Sequence, residues 1–325
     1  MKHYISTTRR RTNAIARTGL GAMLILGMFM TSCRSTLPVQ GYSENLTSLT
    51  KITDSPTSVA LSVGGSADYN GIFVTLSEGK NLSRTNVYKK DSPVAPAFVQ
   101  VTKDETMIND PSYCMGNDRI AFSKYNGTFD VFLMPTIKGN ALIPVTETDN
   151  ANERTPSMSQ DGSLIVYQKT PGLDLYHEES EIWLKNLKTG ETMLLGKGAT
   201  PSISPDGSKI AFTKFADSKT SHIWIMDVDG SNARQISGNT KEFATFPAWN
   251  PQGDKIVYQR YLPGKKKDYD LFVVQVDGGE LKQITNNKSQ DVRPFWSPDG
   301  NIYFISDRGS KSGKTQVWRF GASSL

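Results

Sequence analysis

From about residue 48 onward the chain is filled by short alternating apolar runs rather than by long amphipathic stretches, and the runs recur. Five of them read Ile120-Ala-Phe122, Ile165-Val-Tyr167, Ile210-Ala-Phe212, Ile256-Val-Tyr258 and Ile302-Tyr-Phe304. In a strand, the first and third residues of such a run face one way and the middle residue the other. A proline stands ahead of each run, at Pro111, Pro156, Pro201, Pro247 and Pro294, with spacings of 45, 45, 46 and 47 residues. Between proline and run lies a turn: Gly116-Asn-Asp118, Asp161-Gly162, Asp206-Gly207, Gln252-Gly253 and Asp299-Gly300. Gly in such a turn accepts positive φ at no steric cost, which suits a tight hairpin. A third column is aromatic, at Phe132, Trp183, Trp224, Phe272 and Trp318, and a degenerate copy around Ile72-Phe-Val74 and Val87-Tyr88 precedes the set.

A fourth column closes each repeat with a branched apolar residue and then a small hydroxyl or Gly. Its copies end at Thr53, Thr102, Thr146, Gly196, Ser237 and Thr285. The first copy, Leu49–Thr53, has no repeat in front of it, and the last repeat has no fourth strand behind it. Four short strands per period of this length predict β-propeller blades. A lone four-stranded sheet leaves its apolar face wet, so blades stack, and closing the circle removes the last free edge. The expected fold is all-β: a six-bladed propeller of four-stranded blades, with residues 48–53 completing the last blade beside the strand around Trp318. A β-solenoid or an open sandwich explains the period less well and leaves the orphan strand without a place.

Ser204-Pro-Asp-Gly-Ser-Lys-Ile-Ala-Phe212, followed by Ile223-Trp-Ile-Met-Asp-Val-Asp-Gly-Ser-Asn-Ala-Arg-Gln-Ile-Ser237, resembles the repeat of the TolB-type propeller family. The resemblance covers roughly residues 48–320. It implies an envelope protein that binds other proteins, such as a peptidoglycan-associated lipoprotein or a larger envelope complex. Related repeats occur in the propellers of prolyl-oligopeptidase-type peptidases and of certain pectate-fragment lyases. TolB has a substantial α/β domain ahead of its propeller, whereas here a short tether precedes the first strand.

The first 32 residues read as an export signal. Lys2, Arg9, Arg10, Arg11 and Arg17 are followed by an apolar stretch from Gly19 to Met30, too short to span a bilayer. Met30-Thr-Ser-Cys33 resembles a bacterial lipobox, which implies acylation of Cys33, cleavage before it and anchoring by several acyl chains. Residues 33–46 are then a lipidated tether and 47–325 the propeller. No acidic cluster follows Cys33, so the expected site is the outer membrane, facing the periplasm. Residues 1–32 contain no Asp or Glu, so those five basic residues supply the whole formal charge of +5 and the remainder is neutral. The basic balance therefore points to no nucleic-acid partner. With Cys33 lipidated, Cys114 has no disulfide partner.

Chemistry is sparse. His177 and His222 stand alone, without metal-ligand spacing, and no cofactor or metal is expected. Gly64-Gly65-Ser66-Ala67-Asp68 lacks the last Gly of a nucleophile elbow, so the expected protein is not an enzyme. What remains is the loop surface. The strand 1–2 and 3–4 turns are tight, while the strand 2–3 loops are longer and chemically uneven. With the starts of the first strands they predict a partner-binding face of Arg154, Tyr176, His177, Phe215, Phe243, Tyr261, Lys265, Lys266, Lys267, Arg293 and Arg308. The alternative is a glycan-binding or polysaccharide-cleaving envelope lipoprotein, with Tyr176, Tyr261 and Tyr269 as stacking platforms.

Overall fold

The computed structural model describes residues 39–40, 49–55, 57–66, 68–79, 81–92, 95, 97–136, 141–238, 241–261, 268–310, 312–322 and 325. The expected signal segment, Cys33 and Lys265, Lys266 and Lys267 lie outside the described residues. Strands dominate. After β1 (Val39–Gln40) and β2 (Leu49–Lys51), the first module holds β3 (Ala60–Ser66), β4 (Tyr69–Glu78), β5 (Asn81–Lys90) and β6 (Val99–Gln100). The second has β7 (Ile108–Cys114), β8 (Arg119–Tyr125), β9 (Phe129–Pro135) and β10 (Ile143–Pro144). The third has β11 (Asn152–Met158), β12 (Leu164–Thr170), β13 (Glu181–Asn186) and β14 (Thr192–Lys197). The fourth has β15 (Ala199–Ile203), β16 (Lys209–Asp217), β17 (Thr220–Asp227) and β18 (Arg234–Gln235). The fifth has β19 (Phe243–Trp249), β20 (Lys255–Tyr261), β21 (Asp270–Gln275) and β22 (Leu281–Gln283). The sixth supplies only β23 (Asp291–Trp296), β24 (Asn301–Ser306) and β25 (Gln316–Gly321).

Within a module, each strand pairs antiparallel with the next. The fourth and fifth sheets are also joined through one parallel pair, Ser221 with Phe243. The missing outer strand of the sixth sheet is β2, where Leu49, Thr50 and Lys51 lie opposite Phe320, Arg319 and Trp318. Side-chain chemistry explains why this segment docks there. In four modules the hydroxyl ending the fourth column accepts the N–H of a third-strand residue: Thr102 from Val87, Thr146 from Val131, Ser237 from Ile223 and Thr285 from Leu271. Thr53 accepts the Val317 N–H at 2.9 Å in the same way, and donates to Gln316 Oε1 at 2.7 Å. The tether expected over 33–46 also contributes structure, since Val39–Gln40 pairs parallel with β22 at Leu281 and Lys282.

The core falls into six clusters, each shared by two neighbouring sheets. The second-strand runs sort between them as alternation requires. Ile120 and Phe122 pack toward the first module and Ala121 toward the third; Ile256 and Tyr258 pack toward the fourth and Val257 toward the sixth. One cluster joins Tyr303, Ile305 and Val317 of the sixth sheet to Ala60, Val63, Ile72 and Val74 of the first. Each fully buried aromatic, such as Tyr258, Tyr303, Phe122 or Phe304, removes enough apolar surface for roughly 1.5–3 kcal/mol.

Each residue of the aromatic column carries a cation from the second strand of its module or from just after it. Lys124 lies over Phe132, Lys169 over Trp183, Lys214 over Trp224, Arg260 over Phe272 and Arg308 over Trp318, at 4.4–5.9 Å from the ring centres. Four of these cations also meet a carboxylate: Asp104, Glu153, Glu242 and Asp291 respectively for Lys124, Lys169, Arg260 and Arg308.

Candidate functional site

The six first strands, β3, β7, β11, β15, β19 and β23, together line one cavity. Its lining runs from the middle of each strand to the strand 1–2 turn, through residues such as Ser66, Gln160, Pro205 and Trp296. Five of these strands carry a bulge, where the register shifts around the proline. The residue before that proline takes a left-handed backbone: Asp110 (φ 57°), Thr155 (50°), Thr200 (46°), Phe246 (54°) and Arg293 (52°). A left-handed, non-glycine residue ahead of proline is doubly disfavoured, at roughly 1–3 kcal/mol each. The surrounding ladders hold it: Arg293 N–H donates to Gln259 Oε1 at 2.7 Å, and Thr200 N–H to Gln168 Oε1 at 3.0 Å. All five residues line the cavity at equivalent positions of their strands, a level termed its waist.

The waist is chemically uneven. Arg293 makes an ion pair with Asp110, from the opposite end of the sequence, and its guanidinium lies 4.5 Å from the Phe246 ring centre. Arg154, next to Thr155, stacks 4.3 Å from Phe129 and donates from Nη1 to the Leu173 carbonyl at 3.4 Å. Burial holds the Arg154 guanidinium below its ordinary pKa; the Asp110 charge opposes that shift and the Arg293 charge adds to it. Among the described residues, Arg154 Nε and Thr155 Oγ1 are buried without a hydrogen-bond partner.

Tyr176 reaches the same place from the strand 2–3 loop of the third module. Gln168 Nε2 donates to the Leu175 carbonyl at 2.8 Å and Asn152 Nδ2 to that of Gly172 at 3.1 Å, pinning the loop over β11 and β12. The Tyr176 ring then lies edge-on to Phe243 at 5.4 Å and to Phe246 at 6.2 Å, both in the fifth module. Burial raises its hydroxyl pKa, while Arg293, Gln259 and Thr245 pull it the other way. Phe243 extends the cluster outward, 6.0 Å from Phe215 and stacked 5.3 Å from Tyr261, which meets Tyr269 at 4.8 Å.

Six of the expected face residues therefore gather: Arg154, Tyr176, Phe215, Phe243, Tyr261 and Arg293. Two stand elsewhere. His177 Nδ1 accepts the Glu179 N–H at 3.1 Å inside its own loop. Arg308 is drawn into the sixth sheet, paired to the buried Asp291 at 2.6 Å and hydrogen-bonded to Ser306. Asp110 and Phe246 escaped the sequence reading. The signal was partly present: the residues before the column prolines are Asp110, Thr155, Thr200, Phe246 and Arg293, two alike and three different. Other reactive groups are in use. Cys114 is fully buried, contacts the Gln160 carbonyl at 3.1 Å, and burial pushes its thiol pKa up. His222 Nδ1 lies 3.3 Å from Glu242, itself paired with Arg260. Among the described residues no three His, Cys, Asp or Glu side chains converge on a metal position.

Residues 197–324 match the family described as the TolB beta propeller domain. A TolB homolog of Chlorobium luteolum is 29% identical over 34% of this chain and 24% of its own length. The chain spans only 16% to 38% of the lengths of the curated relatives it matches. Among solved structures, a putative TolB from Agrobacterium tumefaciens superposes with a TM-score of 0.61 at 19% identity, over 84% of this chain and 96% of that one. An oligogalacturonate lyase from Vibrio parahaemolyticus gives 0.55 at 14% identity, over 88% and 97%.

Proposed function

We propose, from the premise that these are TolB-type repeats, that the described strands form a six-bladed propeller closed by β2, and that it works as a non-catalytic protein-binding module of the bacterial envelope, anchored by lipid at Cys33. Six clusters between six modules and the Thr53–Val317 bond favour the closed form. The observation that carries the binding reading is the aromatic group of the half-buried Phe215, Tyr261 and Tyr269 around the buried Phe243, held by a rigid scaffold. Aromatic and arginine side chains are the usual anchors of protein interfaces, because each buries a large area with few rotatable bonds. The partner class is another envelope protein, such as a peptidoglycan-associated lipoprotein or a subunit of a larger complex.

Crosslinking in whole cells followed by co-purification tests this. A specific partner is expected with the native chain and is lost with Phe215→Ala combined with Tyr261→Ala. An unchanged partner set would overturn the choice of face. Metabolic labelling with an alkyne fatty acid tests the anchor, and Cys33→Ala should abolish the label.

A second reading keeps one specific observation. Arg293, over the Phe246 ring, also suits a sugar ring bearing an acid, and calorimetry with oligogalacturonate would support that reading by saturable heat.

A further inference from the structure

We infer that β14, the outer strand of the third sheet, pairs antiparallel with β14 of a second copy of this chain. Its length sets it apart. The other outer strands, β2, β6, β10, β18 and β22, have two or three residues, whereas β14 has six, Thr192–Lys197. The strand is also apolar where it meets solvent, with Met193 43% exposed and Leu194 48%. Leu195, beside them, packs into the cluster shared with the fourth sheet and holds the edge in place. A long, fixed, apolar edge is a template for a further strand, because its outward N–H and C=O groups have no partner within the sheet. The fifth sheet shows such an edge being filled, since β1 adds to β22. The third sheet ends at β14, with no strand beyond it among the described residues.

The charges select a second copy as the occupant. Glu191 stands just before the strand and Lys197 at its end, and both are exposed. Run antiparallel against itself, the strand brings each Glu191 toward the Lys197 of the other copy, once at either end, with the apolar residues of both copies between. Opposite charges across a strand pair stabilise it, whereas parallel self-pairing sets Glu191 beside Glu191 and Lys197 beside Lys197. The contacts these side chains make within the chain are local: Lys197 pairs with Glu179, and Glu191 accepts from Thr189 Oγ1 at 3.1 Å. Exposed contacts of this kind contribute little, so both side chains are free to turn toward a partner. A two-fold axis through the strand pair makes the contact isologous, and it closes at two copies instead of growing into a fibre.

Sedimentation velocity of the full chain tests the pairing. A strand pair this short buries less than a standard interface, so a monomer–dimer equilibrium with a dissociation constant of roughly 10–100 µM is expected. Leu194→Lys should weaken the dimer by more than about tenfold. Glu191→Lys places like charges at both ends and should weaken it about fivefold, while Glu191→Lys combined with Lys197→Glu should bring it back to within about twofold. All three positions are exposed, so an unchanged thermal midpoint at low concentration certifies each variant as folded. In whole cells treated with a mild oxidant, Met193→Cys should give a disulfide-linked dimer, and Arg234→Cys, on the short outer strand β18, should not. A monomer at every concentration, or a dimer indifferent to Leu194→Lys, would overturn the pairing. Failure of the double reversal to recover what Glu191→Lys loses would overturn its antiparallel sense, and equal crosslinking at Met193→Cys and Arg234→Cys would overturn the choice of β14.

Discussion

Among the described residues, every exposed large hydrophobic lies between Leu82 and Leu194, in the first three modules: Leu82, Val99, Met115, Tyr125, Leu142, Ile143, Leu173, Met193 and Leu194. The last three modules expose none of that kind among the described residues, and it is they that match the family repeat, over residues 197–324. The two ends of the chain also differ in their ion pairs. The fifth and sixth modules bury complete ion pairs, Arg260 with Glu242 and Arg308 with Asp291, whereas the first module holds its Arg84–Glu105 pair in solvent. One half keeps the plan and serves as frame. The other half departs from it at its outer strands and at the loop that carries Tyr176. The waist needs both, since Asp110 and Arg154 come from the first half and Phe246 and Arg293 from the second.

The sharpest way to break the comparison is to remove residues 49–53, which the second half borrows from the start of the chain. That deletion strips Leu49 and Ile52 from their clusters and orphans the Val317 N–H, so a loss above roughly 4 kcal/mol is expected in urea unfolding. Next comes Glu242→Ala, which leaves Arg260 buried without its acid and should cost about 3–5 kcal/mol, while Glu105→Ala in the first module should stay within about 0.5 kcal/mol. Thr53→Val and Thr102→Val remove equivalent acceptors in the sixth and first sheets and should each cost about 1–2 kcal/mol. A much smaller loss for Thr53→Val would mean that β2 is not the equivalent of the other fourth strands. Smallest of all, Met193→Lys with Leu194→Lys should move stability by less than about 0.5 kcal/mol, yet lower the binding of a hydrophobic dye.

The strands were legible because their signals are local. Alternation set the faces of Ile120-Ala-Phe122 and Ile256-Val-Tyr258, and Asp-Gly pairs set the turns. The final hydroxyl column was visible as a pattern, but its reason emerged only with the third-strand N–H groups that Thr53 and its counterparts satisfy. The cations over the aromatic column were missed, because Lys and Arg near strand ends read as solvated when each repeat is seen alone. Tyr176 was on the expected face, but no linear pattern tells that a third-module loop will rest on fifth-module rings. Asp110 and Arg293 are 183 positions apart, and their pairing exists only once the first strands stand side by side. Arg308 misled for the opposite reason: its loop position promised exposure, while Asp291 and Ser306 draw it inward.

Thr53 and Gln316 are separated by 263 positions, and each needs the other. During synthesis β2 must therefore wait without its β25 partner until nearly the whole chain has been made. Through that interval the growing polypeptide presents two open β-edges that could recruit a neighbour. Late encounters of this kind slow folding, and a cell that shortens the wait, or shields the waiting segment, gains yield without altering one contact of the finished protein.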